Sequence, residues 1–300
     1  PGGRCSSRTL EFTDPTGKFH SLTADHAVQF FTAQTPRFQK YVDDWVKAGI
    51  VRQCFESPGA IGSLHPSSSG SAHLSSSSSG SAHWKFKPLK VETNDDEKGG
   101  GGEGLPMCYV ATDGMQRLAE RVAGARVVKD TWVASARREG KGSESSESGG
   151  RWRVFGDARQ ARELNKNDNF EYLVVAHCGK CAERLMRNAK SPLAHSALKA
   201  RFGPGKPSEN VLQIRSLYSL VVAVEASAID RIMNFQAAFI KDDPILSWVC
   251  DNTRKHLQEK DSKYRVLTLL STPEFAKKFK VPQEAIPSDT RKNVTRDMLG

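Results

Sequence analysis

Two kinds of hydrophobic spacing follow each other in the first fifty residues. Residues 10–24 alternate polar and apolar positions around an Asp-Pro-Thr-Gly turn at residues 14–17, which predicts a short β-hairpin. After Thr35-Pro36 the apolar residues recur at helical spacing until about Gly49, which predicts an amphipathic helix. We expect the apolar side chains of this helix to belong to the hydrophobic core; they are Phe38, Tyr41, Val42, Trp45 and Val46.

Later apolar segments predict strands. Residues 131–134 and 152–155 predict two strands that pair across a Gly/Ser-rich linker. Residues 172–176 are continuously apolar, which is typical of a parallel strand covered on both faces. The chain should end in a helix from about residue 287, with Ser288 or Asp289 as its N-cap. Four segments between these predict an antiparallel sheet in a second domain: residues 217–225, 236–241, 245–249 and 264–271.

Two segments contain too little apolar sequence to form a core. Residues 63–104 are dominated by Ser, Gly and charged residues, and we expect a disordered insert there. Within it, residues 84–88 predict a short strand that returns to the fold. A smaller linker of the same kind covers residues 139–150. The insert carries His65, His73 and His83, two of them in a repeated Ser-Gly-Ser-Ala-His motif. They are either a metal-binding tract or a product of repeat slippage, and the repeat favours the second interpretation.

Charge and cysteine content narrow the functional classes. The net charge of +10 is spread along the chain without an RNA-module signature or zinc-finger spacing, so we expect no nucleic-acid partner. The six cysteines lack the rhythm of a disulfide framework, which indicates reduced thiols in an intracellular protein. Cys178 and Cys181 have CxxC spacing, and they are either a redox pair or two incidental thiols at a turn. No apolar run approaches the roughly 20 residues of a membrane helix, so we expect no membrane span.

Four segments together resemble renalase-like FAD/NAD(P)-binding oxidoreductases, relatives of the flavin amine oxidases, and especially their plant and algal branch. Residues 1–8 (PGGRCSSR) are similar to the GGRxxS/T run of that family, and residues 25–33 (DHAVQFFTA) to its D-H-G-A-Q-Y-F-T-A motif. Residues 113–133 are similar to its P-G-M helix and the strand that passes the adenine. The fourth segment is residues 174–184 together with Leu246-Ser247-Trp248.

The resemblance implies an α/β fold: an FAD-binding, Rossmann-like domain of the amine-oxidase type lacking its first βαβ unit, with a second, antiparallel-sheet substrate domain. The implied cofactor is FAD, and no metal is implied. Trp248 is expected on the substrate side, and no catalytic side chain is assigned. The residues expected to bind the cofactor are Gly2, Gly3, Arg4, Ser7, Gln29, Phe30 and Val133.

The chemistry of these residues leaves alternatives open. Two glycines let backbone amides approach a phosphate, and Arg4 adds a delocalised charge, but Gly-Gly-Arg is also an ordinary turn. Gln29 is polar within an apolar stretch, so its amide bonds either a flavin edge or the backbone. Val133 offers its main chain to the adenine side of the cofactor or is a simple strand valine. Ala27 and Phe30 depart from the glycine and tyrosine of the family motif.

The phosphate-binding GxGxxG motif and the late glycine-aspartate segment of such flavin domains are both missing, so we expect the sequence to be incomplete at both ends. Five segments follow from these patterns. Residues 1–62 hold part of the FAD-binding domain and the start of the substrate domain, and residues 63–104 the insert. Residues 105–190 continue the FAD-binding domain, residues 191–285 form the substrate domain, and residues 286–300 form a helix returning to the FAD-binding domain.

The function implied by the resemblance is that of an enzyme: hydride transfer from an amine or a reduced pyridine nucleotide to flavin, and onward to oxygen or another acceptor. Its partners would be a small-molecule substrate and NAD(P)H, in the cytoplasm or a plastid. The alternative is a catalytically inactive flavin-fold protein that serves as a binding or scaffold module. Bound-flavin absorbance of the purified protein separates the two.

Overall fold

The described part of the chain has a mixed α/β fold with four sheets and several helices. The computed structural model describes residues 3–67, 84–91, 105–123, 127–128, 131–139, 151–156, 170–202, 211–212, 215–257, 262–282 and 285–300. Two compact units are formed, one by Pro1–Gly124 with Ser216–Gly300 and the other by Ala125–Arg215. The five segments expected from the sequence were assigned by the function of each part, whereas these units are defined by compactness. The five segments therefore stay predictions. The predicted inserts lie largely outside the described residues.

The predicted hairpin is confirmed as strands β1 (Ser7–Thr13) and β2 (Phe19–Asp25), which pair antiparallel. The helix after Thr35 is confirmed as α1 (Pro36–Lys47), and the Thr35 hydroxyl caps it by accepting the N–H of Phe38. The prediction that its apolar residues are core is confirmed for Val42, which is fully buried, and for Trp45, which packs against the same core. It was wrong for Phe38, Tyr41 and Val46, which are exposed.

A three-stranded antiparallel sheet lies in the same unit. Its central strand is β7 (Cys108–Ala111), flanked by β3 (Phe31–Thr32) and β4 (Val51–Cys54). Helix α2 (Met115–Ala123) follows β7 directly and begins with the buried Met115. This sheet therefore places the end of the DHAVQFFTA segment next to β7, the strand that leads into α2.

The largest sheet has six strands in the spatial order β10, β13, β12, β11, β5, β6. All four apolar segments predicted in the second half of the chain are confirmed as its strands. The expectation of a purely antiparallel sheet was wrong at one pairing, because β5 and β11 run parallel. Ser63, placed in the disordered insert, is buried within β5, and residues 84–88 form the predicted strand β6. The strands are β5 (Ile61–Pro66), β6 (Trp84–Pro88), β10 (Ser219–Glu225), β11 (Ala237–Ile240), β12 (Leu246–Asp251) and β13 (Tyr264–Ser271).

The unit formed by Ala125–Arg215 contains a hairpin and two helices. Strands β8 (Val133–Glu139) and β9 (Arg151–Gly156) pair antiparallel, which confirms the pairing predicted across the linker. Helices α3 (Gly179–Asn188) and α4 (Pro192–Phe202) follow. The buried parallel strand predicted at residues 172–176 was wrong. That segment has no strand pairing in the described part of the chain, and Tyr172 and Val174 are 79% and 83% exposed.

Four further helices complete the fold: α5 (Ala226–Ile229), α6 (Asn252–Lys255), α7 (Pro273–Lys278) and α8 (Ser288–Leu299). The C-terminal helix was predicted correctly, but its N-cap is Pro287, which has no side-chain donor or acceptor, so neither Ser288 nor Asp289 has that role. Val294 and Met298 on α8 pack into the core of the six-stranded sheet. Within the described ranges, no helix has both the length and the apolar character needed to cross a membrane.

Candidate functional site

A completely buried carboxylate lies at the end of β2. Asp25 Oδ1 accepts hydrogen bonds from the Ser7 hydroxyl at 2.7 Å and from the backbone N–H of Met115 at 2.8 Å. Asp25 Oδ2 lies 2.8 Å from Lys255 Nζ and 2.8 Å from His256 Nε2. Each oxygen therefore has two partners, from β1 and α2 on one side and from the end of α6 on the other.

Lys255 has a fully buried ammonium group, which is rare without a charge partner. Besides Asp25, its Nζ donates to the backbone carbonyl and the side-chain carbonyl of Gln29, both at 3.2 Å. The three donors of the ammonium group thus have three acceptors. The Gln29 amide nitrogen in turn donates to the backbone carbonyls of Asp25 at 2.7 Å and Ala27 at 3.3 Å.

The backbone of Asp25 is held as firmly as its side chain. Its N–H donates to Asn252 Oδ1 at 3.0 Å, and its carbonyl accepts from the Thr268 hydroxyl at 2.8 Å. Asn252 Nδ2 donates to that same hydroxyl at 2.8 Å, which closes a ring between β2, α6 and β13. We call Asp25, Gln29, Asn252, Lys255 and His256 the Asp25 network. Apart from His256 Nδ1, the polar side-chain atoms of the network have partners, and such a network fixes the position of the chain around Gln29.

The pKa values of Asp25 and His256 are both lowered in the network, for different reasons. Burial acts to raise the pKa of Asp25, but the hydrogen bond with His256 and the charge of Lys255 outweigh it and lower that pKa. Burial lowers the pKa of His256, and Lys255 adds to this, while the bond with Asp25 opposes it. At neutral pH the carboxylate of Asp25 is therefore ionised, and the imidazole of His256 is neutral and donates from Nε2.

Aromatic rings form a wall beside this network. The ring centroid of Phe30 lies 5.6 Å from that of Phe55 and 6.0 Å from that of Trp248, and Phe239 packs edge-on against Trp248 at 4.7 Å. Phe55 is buried with φ 60°, a conformation that a bulky residue adopts only where packing enforces it, at a cost of about 1–3 kcal/mol. We call these four residues the aromatic wall.

Trp248 carries an unused donor within that wall. The residue is 4% exposed, and its indole Nε1 has no hydrogen-bond partner among the residues described. A buried N–H without an acceptor costs about 1–3 kcal/mol, so such groups are uncommon. The wall thus holds one unused donor among buried aromatic rings.

Several of the residues predicted from the sequence meet in this unit. Ser7 and Gln29 both contact the Asp25 network, and Phe30 is next to Trp248. Gly3 and Arg4 lie in a 3-10 turn, where Gly3 has φ 54° and the Arg4 carbonyl accepts the N–H of Val28 at 3.0 Å. Val133 begins β8 in the other unit, and Gly2 lies outside the described residues. The cofactor roles of all these residues stay predictions.

Asp25, Asn252, Lys255 and His256 had no role assigned from the sequence. Asp25 lies in the DHAVQFFTA segment, but its partners are more than 220 residues further along the chain. The sequence contained one sign of these residues, a short polar run directly after the apolar strand β12. A lysine next to a histidine in such a run is typical of a solvent-exposed turn, so no role was assigned. No group of three or more His, Cys, Asp or Glu side chains in the described part of the protein is arranged to hold a metal ion.

No protein-family model matches the chain, and no curated protein matches it either.

Proposed function

We propose that the chain belongs to an FAD-dependent oxidoreductase of the renalase and amine-oxidase type, with the flavin ring bound against the aromatic wall. The observation that carries the proposal is the buried indole N–H of Trp248, which lacks an acceptor beside the ring of Phe30. A flavin ring has carbonyl oxygens and ring nitrogens that accept hydrogen bonds, and a planar face that packs on aromatic side chains. The wall is complementary to both.

The residues toward the phosphate end of the cofactor also fit. Gly3 has a positive φ, and the space around it is open, so a phosphate oxygen can approach the backbone closely. Arg4 is exposed in the same turn and supplies positive charge for a pyrophosphate. In this proposal the α/β fold is of the Rossmann-like FAD-binding type.

Gln29 has a different role from the one expected of a flavin contact. Its amide is consumed by backbone carbonyls and by Lys255, so it acts on the site through the main chain. Phe30 is the next residue, and the Asp25 network therefore holds the Phe30 ring in place rather than offering a proton to a substrate.

Bound FAD would accept a hydride from an amine or a reduced pyridine nucleotide and pass the electrons to oxygen or another acceptor. The residues of the chain orient the reactants and exclude water. Phe30, Phe55 and Trp248 provide a dry surface, and the network fixes the backbone that presents Phe30. The described residues need no general base for this chemistry, because hydride transfer takes place between substrate and cofactor.

The proposal is tested by mixing the 300-residue chain with FAD, removing free flavin by gel filtration and recording the visible spectrum. We expect flavin absorbance to co-elute with the protein and to bleach when NADH, NADPH or benzylamine is added without oxygen. Absorbance that co-elutes but is not bleached by any of the three would support the alternative, a flavin-fold binding protein without catalysis. A colourless, folded product would contradict the flavin proposal itself.

A further inference from the structure

Arg52 occupies an unusual position on strand β4. It pairs opposite Val110, and Cys54, two residues on, pairs opposite Cys108. Alternate residues of a strand share a face, so Arg52 is on the face that carries Cys54. Cys54, Cys108 and Val110 are all buried in the core that also contains Trp248. Arg52 is therefore the charged residue of a strand face that is otherwise apolar.

The bonding of this guanidinium group is incomplete. Nη1 donates to the backbone carbonyl of Gln53 at 2.9 Å, whereas Nη2 is buried and has no hydrogen-bond partner in the described ranges. No carboxylate in those ranges lies within 4.0 Å of it. Burial lowers the pKa of Arg52, with Cys54 and Glu56 opposing this, yet an arginine keeps its charge in proteins. Arg52 is thus a partly buried cation that, among the described residues, has no direct ion-pair partner, and Glu56 acts on it only from a longer distance.

Arg52 lies close enough to a second buried cation, Lys255, for both to act on one group. Burial lowers the pKa of His256, and the hydrogen bond with Asp25 opposes this. The charges of Lys255 and Arg52 both lower the pKa further, so the two cations act on the same imidazole. Asp25, the carboxylate of the network, is not available to Arg52, because its two oxygens already have four partners. One further buried donor, Trp248 Nε1, lacks a partner in the described part of the unit.

We propose that Arg52 binds the oxyanion group, a carboxylate or a phosphate, of a small ligand that enters this core from the side of β4. The guanidinium fork matches two oxygens of either group, and the anion supplies both the missing acceptor for Nη2 and the missing counter-charge. The core that Arg52 faces is otherwise apolar, which fits a ligand with an anionic end and an apolar body. The site does not depend on flavin.

The test is calorimetric titration of the flavin-free chain with inorganic phosphate and, separately, with sodium acetate, each against sodium chloride at equal ionic strength. We expect one of the two anions to bind and to raise the melting temperature. Phosphate binding alone identifies a phosphate-bearing ligand, and acetate binding alone a carboxylate. Arg52→Gln should weaken the binding about tenfold or more, because a charge-assisted hydrogen bond is lost. Arg37→Gln, an exposed arginine on α1, is the matched control and should bind as the wild type does.

A second readout separates a binding residue from a structural one. Without added anion, Arg52→Gln should unfold at the same denaturant concentration as the wild type or a higher one, because the variant no longer buries an unpaired charge. A structural arginine would give a loss of stability instead. The proposal is overturned if neither anion binds, if Arg52→Gln binds as well as the wild type, or if Arg52→Gln lowers the unfolding midpoint in the absence of anion.

Discussion

Replacing Lys255 by methionine tests whether the Asp25 network holds the fold together. Methionine fills a similar volume, but the substitution removes three hydrogen bonds and the positive charge beside Asp25. The carboxylate keeps the Ser7 hydroxyl, the Met115 N–H and the neutral His256, yet it loses its one fully charged partner. Breaking a buried pair by removing one partner costs about 3–5 kcal/mol. That is a large part of the roughly 5–15 kcal/mol that stabilises an ordinary domain.

The double variant distinguishes a real coupling from a general loss of packing. Asp25→Asn alone should also destabilise, since Lys255 is then left without its counter-ion. Combining Asp25→Asn with Lys255→Met removes both charges, so the cost of the double variant should be less than the sum of the single costs by about 1–3 kcal/mol. Lys40→Met, an exposed lysine on α1, is the matched control and should change stability by less than about 0.5 kcal/mol.

The measurement is the free energy of unfolding in urea at neutral pH, followed by circular dichroism and by tryptophan fluorescence. Coincident transitions with the two probes justify a single free energy for the unit. If Lys255→Met costs under about 1 kcal/mol, or if the single costs simply add, the two side chains are not coupled and the network is not a stabilising one.

Three further predictions follow from burial and close contacts. Stability should fall as the pH drops below about 6.5, the ordinary histidine value, because burial lowers the pKa of His256 and the unfolded imidazole then binds the proton more readily. In urea titrations at stepped pH, His256→Gln should flatten this slope and the exposed His177→Gln should not. Gly62→Ala should cost about 1–3 kcal/mol, because its Cβ would lie 2.5 Å from the carbonyl oxygen of Lys87 and against Phe86; an unchanged urea midpoint would contradict this. In a titration with a thiol reagent, Cys54, Cys108 and Cys250 should react only after urea unfolds the chain. Burial raises the pKa of Cys108 and Cys250 to about 12 and that of Cys54 well above its ordinary value.

The sequence predicted best where local pattern and tertiary packing agree. The hairpin of β1 and β2 combines a clear turn with alternating residues, and α1 combines a Thr35 cap with helical spacing. Residues 172–176 show the opposite case. Their apolar run predicted a buried strand, but hydrophobicity alone does not decide whether a neighbouring strand is available to pair with, and none of the described strands pairs with them.

The Asp25 network could not be predicted because its partners are remote in sequence. Lys255 and His256 follow β12 in a segment whose polar residues resemble a solvated turn, and charged residues are seldom buried unless paired. Their pairing with Asp25 depends on the fold that brings β2 against α6 and β13. Local spacing contains no information about such a contact. Gln29, by contrast, was recognisable from the sequence as a buried amide in need of partners.

The central proposal, a flavin bound against Trp248 and Phe30, is tested most directly by the dissociation constant of FAD. It can be measured from the quenching of flavin fluorescence for the wild type, Trp248→Phe and Trp84→Phe, the last on the edge strand β6 as control. We predict that the wild type and Trp84→Phe bind FAD equally well. Trp248→Phe should bind about tenfold more weakly, since it keeps the ring but loses the N–H. Absence of FAD binding by the wild type, or equal affinity of Trp248→Phe and the wild type, would contradict the proposal.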